Sequence, residues 1–154
     1  MSQVHRNDLL AAEIYPDSTN FEDSNGILQN GSSGIIDCVE FQYNRQGEVI
    51  AKRDQNGTIH EYVYDDLGRL LHDRITTLAA GIDGGVRRIS TVYDVVGNVR
   101  SVTSWNNATV GQGTVLNQVL YEYDNHGLLA REFSNPGGAV VVATTPHIGY
   151  TASQ

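Results

Sequence analysis

The stretch Tyr64-Asp65-Asp66-Leu67-Gly68 decides how this chain is read, because the phrase recurs. A tyrosine, an Asp or Asn, two variable residues and a glycine stand again at Tyr43-Asn44-Arg45-Gln46-Gly47, Tyr93-Asp94-Val95-Val96-Gly97 and Tyr123-Asp124-Asn125-His126-Gly127. The glycines lie at 47, 68, 97 and 127, so successive copies are 21, 29 and 30 residues apart. A fixed phrase at such periods marks a repeat architecture, in which a small unit buries its apolar side only against copies of itself.

The residues around each phrase specify what the unit is. Val39-Glu40-Phe41-Gln42-Tyr43 and Val119-Leu120-Tyr121-Glu122-Tyr123 alternate with period two and are rich in aromatic and β-branched residues, which is a strand pattern. His60-Glu61-Tyr62-Val63-Tyr64 and Ile89-Ser90-Thr91-Val92-Tyr93 follow suit, with Val63 and Val92 making the second face apolar as well. Two residues after each glycine sits an aliphatic side chain, Val49, Leu70, Val99 or Leu129, placed to pack across from the aromatics if the phrase is the turn of a hairpin. The turn has its own chemistry. An Asp or Asn side chain accepts bonds from backbone N–H groups further on and pre-forms the reversal. A glycine at the fourth turn position takes the left-handed conformation that closes a type I turn with a bulge. Asp54-Gln55-Asn56-Gly57 repeats this chemistry and joins the strand around Val49 to the one around Tyr62. The 21-residue unit is therefore two short strands and two tight turns. In the longer units Thr77–Gly85 and Asn106–Thr114 take the place of that second turn, and such loops are where added residues cost little and where function resides if there is one.

The intact Tyr-Asp-x-x-Gly-Arg-Leu at Tyr64 to Leu70, followed by another Tyr-x-Tyr-Asp at Tyr121 to Asp124, resembles the YD repeat of the RHS-repeat family over residues 39 to 133. With Arg45-Gln46-Gly47-Glu48-Val49, the variants are most similar to long bacterial wall-associated members. The resemblance implies an all-β fold of antiparallel hairpins forming an open ribbon or a segment of a shell or solenoid. It implies a non-enzymatic structural role in a cell-surface or secreted protein, as a shell or an adhesion scaffold. The partners it implies are further YD-repeat units or another copy of the chain, with cell-wall carbohydrate or a surface protein as an outer ligand. The residues it carries over are structural: Tyr43, Gly47, Tyr64, Asp65, Gly68, Tyr93, Asp94, Gly97, Tyr123, Asp124 and Gly127. The chain departs from toxin-bearing members, with no Pro-rich self-cleaving core signature after the repeats, no membrane anchor and no room for a toxin domain. It is expected to be a fragment of about four units or a very small relative.

The rest of the chain is organised around this body. Residues 1–15 read as a degenerate half-repeat, with Leu9-Leu10-Ala11-Ala12-Glu13-Ile14 either a helical turn or, as favoured here, a strand after a turn at Arg6-Asn7-Asp8. Residues 16–38, with Pro16, Gly26, Gly31 and Gly34 among Ser, Asn and Asp, are expected to be a flexible loop. Residues 134–154 form a C-terminal strand or tail. Within it the uncharged Gly138–Thr145 stretch is either a final strand or an aggregation hazard, and His147-Ile148-Gly149-Tyr150 begins another Tyr-containing strand.

Composition narrows function by exclusion. The 154 residues carry a net charge of −8 with both signs interspersed, which argues against nucleic acid and against anionic membranes, both of which demand clustered Lys and Arg. No run reaches the length of a membrane span, and Met1-Ser2-Gln3-Val4-His5-Arg6 has no signal-peptide core. Cys38 is the sole cysteine, so no intrachain disulfide forms. An open sheet of this size has two exposed edges, so marginal stability or dimerisation is expected.

No motif for catalysis, metal or cofactor emerges. The repeated aspartates recur once per unit, as turn residues do, and Asn44 replaces one of them, which a catalytic carboxylate would not tolerate. His5, His60, His72, His126 and His147 lack zinc-ligand spacing. Asp54-Gln55-Asn56-Gly57-Thr58 has its glycine too early for a calcium loop. Cys38 with a histidine, and Ser33 or Ser90 with His and Asp, sit in no nucleophile-elbow context. The acceptor sequences at Asn30, Asn56 and Asn107 arise readily by chance in a chain rich in Asn and Gly. The remaining functional signal is aromatic. Tyr43, Tyr62, Tyr64, Tyr93, Tyr121 and Tyr123 either ladder the strands together or stack on a ligand, and Trp105, off the repeated positions at the mouth of a long loop, is the best candidate ligand contact. A small carbohydrate- or protein-binding module is thus the alternative to a scaffold.

Overall fold

A computed structural model describes residues 2–15, 21–22, 28–29 and 38–150. Every regular element among them is a β-strand: β1 Ser2–Arg6, β2 Leu9–Ile14, β3 Phe21–Glu22, β4 Leu28–Gln29, β5 Cys38–Tyr43, β6 Val49–Arg53, β7 Ile59–Tyr64, β8 Leu70–Thr77, β9 Arg88–Tyr93, β10 Val99–Trp105, β11 Val115–Tyr123, β12 Leu129–Asn135 and β13 His147–Gly149. The fold is all-β, antiparallel and built of hairpins, as the period-two pattern requires. The chain divides into two compact units, Met1–Tyr62 with Ile75–Ile82, and Val63–Arg74 with Asp83–Gln154.

In the first unit the strand order is β1-β2-β5-β6-β7, and the sheet is open. Leu9–Ile14 is a strand, and β1 turns into it through Asn7 and Asp8, with φ of 51° and 64°. Asn and Asp tolerate this left-handed pair, which suits the twist of a two-residue hairpin. Val4, Ala12, Ile14 and Cys38 form the apolar core, with Ala11 packed beside it. Thr58 is buried and its hydroxyl accepts the Ala79 N–H at 3.3 Å. The loop expected over residues 16–38 falls mostly outside the described residues. Within that range β3 pairs with β4 as a separate two-stranded ribbon, and Cys38 opens β5.

In the second unit the order is β8-β9-β10-β11-β12-β13, again open. Phe133, 1% exposed, is its buried apolar residue, against His147 with ring centroids 5.0 Å apart. The other buried side chains described here are polar: Arg88, Ser90, Ser101 and Thr103. Register explains how they are satisfied. His72, Ser90, Thr103, Gln118 and Asn135 stand opposite one another across five strands. His72 Nδ1 lies 3.0 Å from Ser90 Oγ, and Gln118 Nε2 donates to Thr103 Oγ1 at 2.9 Å. Gln118 Oε1 accepts the Val140 N–H at 2.8 Å, and Asn135 Nδ2 donates to the Ala139 carbonyl at 2.7 Å. A satisfied polar row of this kind contributes about 0.5–1.5 kcal/mol per bond and fixes register as firmly as an apolar one.

Gly138–Thr145 is not a strand. Its valines enter a turn in which Thr144 and Thr145 donate to the Val141 carbonyl at 2.9 and 2.8 Å, and chain pairing resumes only at His147, opposite Phe133. Pro136, Gly137 and the Asn135 side chain carry the chain out of β12 before β-propensity can act; Asn135 Oδ1 takes the Gly137 N–H at 3.0 Å.

Candidate functional site: the notches between hairpins

Every repeated phrase is a turn of one design. In Asp94–Gly97, the Gly97 N–H donates to the Asp94 carbonyl at 3.2 Å and the Asp94 N–H donates to the Asn98 carbonyl at 2.9 Å. Asp94 Oδ1 accepts the N–H groups of Val96 at 3.0 Å and Asn98 at 2.8 Å. Asn44, Asp54, Asp65 and Asp124 each accept the same pair of bonds, two and four residues on. The closing glycines have φ between 76° and 101°, and the ladder slips by one residue at Gln42/Tyr43, Val99/Ser101 and Glu122/Tyr123. This is the type I turn with a glycine bulge. Because the turn is made by backbone and one carboxamide or carboxylate, the two middle positions are unconstrained, and Leu67, Val95 and Val96 stand exposed there.

In three of the four phrases the side chain after the glycine adds a further bond. Arg69 bonds Asp65 Oδ2 through Nε and Nη2, both at 2.7 Å, and Asn98 Nδ2 donates to Asp94 Oδ2 at 3.1 Å. In the first copy the roles are exchanged: Asn44 Nδ2 donates to Glu48 Oε2 at 2.6 Å. These bonds set the electrostatics. Backbone and side-chain donation from Arg69 holds Asp65 below its ordinary 3.8. Backbone N–H groups of Leu128 and His126 do the same for Asp124. At Asp94 burial pushes upward, and the backbone and side-chain bonds from Asn98 outweigh it.

Between successive hairpins the strands part near the turns. The β2·β5 ladder covers only Ala12–Ile14 against Cys38–Glu40, β8·β9 only His72–Arg74 against Arg88–Ser90, and β10·β11 stops at Ser101 opposite Leu120. The phrase tyrosine spans the gap. Tyr43 Oη donates to the Leu10 carbonyl at 2.8 Å, Tyr93 Oη to Leu70 at 3.1 Å and Tyr123 Oη to Val99 at 2.8 Å. Within its own hairpin, each of Tyr43, Tyr93 and Tyr123 stands opposite Val49, Val99 or Leu129. Arg69 adds a second tie, its guanidinium 4.5 Å from the Tyr93 ring centroid. The phrase tyrosines and Tyr62 and Tyr121 are half-buried.

Two of these partings hold a notch. One, about 620 Å³, is lined by Asp94, Asn98, Arg100, Tyr123, Asp124 and His126. Burial, then Asp94 and Tyr121, push the Tyr123 hydroxyl above 10.0, so it stays a donor to Val99. The other, about 530 Å³, lies in the first unit, with Arg6, Leu9, Ala11, Phe41, Tyr43 and Arg45 in its wall. Among the described residues no group of three His, Cys, Asp or Glu side chains is placed to hold a metal ion.

Trp105 is half-buried, with the Arg88 guanidinium 4.6 Å from its ring centroid. Arg88, 2% exposed, was not singled out by sequence reasoning, although it is the residue that builds this corner. Its Nη1 donates to the Asn107 carbonyl at 3.0 Å and to that of Thr109, its Nη2 to Gln112 at 3.2 Å, and its Nε to Ser90 Oγ at 3.2 Å. The long loop after Trp105 is therefore folded around a guanidinium. The same contact places Ser90: its Oγ accepts from Arg88 and lies 3.0 Å from His72 Nδ1, and Ser90 is 8% exposed. The pair is a link in the polar row.

No family model matches the sequence, and no curated protein matches it. Among solved structures, a crystal structure of TcdB2-TccC3-TEV is similar over 74% of this chain at 18% identity, with a TM-score of 0.36. The chain spans 6% of that chain's length.

Proposed function

We propose that this chain is a non-enzymatic structural repeat segment of a cell-surface or secreted scaffold of the RHS/YD-repeat type. The observation that carries the reading is the recurring bond from a phrase tyrosine to a carbonyl of the preceding hairpin, at Tyr43, Tyr93 and Tyr123. The residues that recur in the sequence are spent on closing turns and joining hairpins, which is the work of a scaffold. The partners that fit are further units of the same kind or a second copy, since β1 and β13 each have one neighbouring strand among the described residues, and open edges recruit strands.

The test is the size and location of the native polypeptide. An antibody raised against this chain should detect, in source cells, a polypeptide much longer than 154 residues that protease treatment of intact cells removes, or that is found in the medium. A protease-protected intracellular species of 154 residues would overturn the reading.

A further inference from the structure

We propose that the notch of the first unit binds a small organic carboxylate with an apolar body. Three features of its wall carry this. Leu9, Ala11 and Phe41 give its lining apolar surface. Its volume of about 530 Å³ falls in the range of small-molecule sites. Two guanidiniums, Arg6 and Arg45, stand in the wall and, among the described residues, neither is paired with a carboxylate.

Charge complementarity selects the ligand. The chain as a whole carries −8, yet this notch is lined by Asn7 and Asn44 where the other is lined by Asp94 and Asp124, and Asp8, which shares the turn with Asn7, is not part of its wall. Glu40 also lines it, but its carboxylate is held by Arg53 at 3.3 Å. Asn44 is likewise committed, to its turn and to Glu48, and Tyr43 Oη to Leu10. What remains uncommitted is the pair of arginines, whose planar forks match a carboxylate, above an apolar surface that suits a hydrocarbon or aryl group. The notch at Asp94 and Asp124 presents two carboxylates instead and would repel the same molecule, so the site belongs to one junction of the repeat and not to all.

The experiment is a titration of the full chain, followed by backbone amide NMR shifts, with 3-phenylpropionate, its neutral amide and inorganic phosphate. The expected result is saturable shifts at Leu9, Ala11 and Phe41 with 3-phenylpropionate, with binding at least about tenfold weaker for the other two probes, a difference of about 1.4 kcal/mol. The double variant Arg6→Gln/Arg45→Gln, checked for unchanged thermal unfolding, should lose the same margin. Equal binding of the amide or of phosphate, unaltered binding in the folded double variant, or no shift at these residues with 3-phenylpropionate would each overturn the proposal.

Discussion

Tyr123 Oη donates to the Val99 carbonyl at 2.8 Å, across a place where β10 and β11 no longer pair through their backbones. One hydroxyl thus replaces a ladder bond where the strands splay toward their turns. The same substitution of side chain for backbone joins Tyr93 to Leu70 and Tyr43 to Leu10. Leu70 and Val99 each stand two residues after a phrase glycine, so the phrases at Tyr93 and Tyr123 each supply a donor to the aliphatic residue that follows the phrase before.

The turn aspartates should be replaceable by asparagine and not by alanine. Asp94→Asn keeps the Oδ1 acceptor used by Val96 and Asn98, and the first copy already works with Asn44. Asp94→Ala leaves both N–H groups without that partner. In urea denaturation the alanine variant should show the larger fall in midpoint, and the asparagine variant, which forfeits only the Asn98 Nδ2 bond to Oδ2, a smaller one. Equal losses would mean that the charge, and not the acceptor, closes the turn.

Two glycines in one loop separate backbone strain from steric exclusion. Gly111 has φ +82°, and an added Cβ there would meet nothing within 4 Å, whereas at Gly113, φ +91°, an added Cβ would lie 2.5 Å from Asn107 Cβ and 3.1 Å from Asn107 N. Gly111→Ala should cost about 1–2 kcal/mol, the left-handed penalty alone. Gly113→Ala should cost more, and heteronuclear NMR should show the Asn106–Thr114 loop rearranged in it but not in the other.

Arg88 should be irreplaceable by lysine. An ammonium cannot serve the Asn107, Thr109 and Gln112 carbonyls and Ser90 at once while covering the Trp105 ring. A hydrogen bond made by a charged group contributes about 1.5–3 kcal/mol, so Arg88→Lys, which forfeits at least one, should destabilise by about that much or more. The Trp105 fluorescence of the folded variant should shift toward that of a solvated indole. A lysine variant with parental stability and emission would refute the cage.

Acid should weaken the fold in two steps. Burial first, then the charges of Arg88 and Arg74, hold His72 below 6.5, while its Nδ1 lies 3.0 Å from Ser90 Oγ. The unfolded chain therefore takes up a proton near pH 6.5 that the fold resists, so stability falls as pH drops below 6.5 and levels off below the lowered value. The depressed Asp65, Asp94 and Asp124 contribute stability that is full above 3.8 and is lost as pH falls through their folded values. Thermal unfolding followed from about pH 8 to about pH 2 should show both steps, and His72→Asn should abolish the first alone.

The hairpins, their turns and the bulge glycines were legible because their causes are local: an Asx acceptor, a left-handed glycine and alternation act within about five or six residues. The ties made by Tyr43, Tyr93 and Tyr123 were not legible for a non-local reason, since their acceptors lie 23 to 33 residues earlier in the chain. Arg88 was missed because its partners are backbone carbonyls 19 to 24 residues on, which carry no sequence signature; the Arg87-Arg88 doublet in an acidic chain was the one available sign. The valines at 140–142 have strand propensity, and the turn at Asn135–Gly138 overrides it. The notch of the first unit draws Arg6 and Arg45, 39 residues apart in sequence, into one wall, a juxtaposition that only the fold reveals.

The most direct measurement is the unfolding free energy of Tyr43→Phe, Tyr93→Phe and Tyr123→Phe, singly and together, by urea denaturation. Each change removes one hydroxyl and keeps the ring. If the hydroxyls join hairpins, each single variant should lose about 0.5–1.5 kcal/mol, and the triple variant close to the sum, since the three sites share no partner. Parental stability in the triple variant would contradict the account and return the tyrosines to an outside ligand.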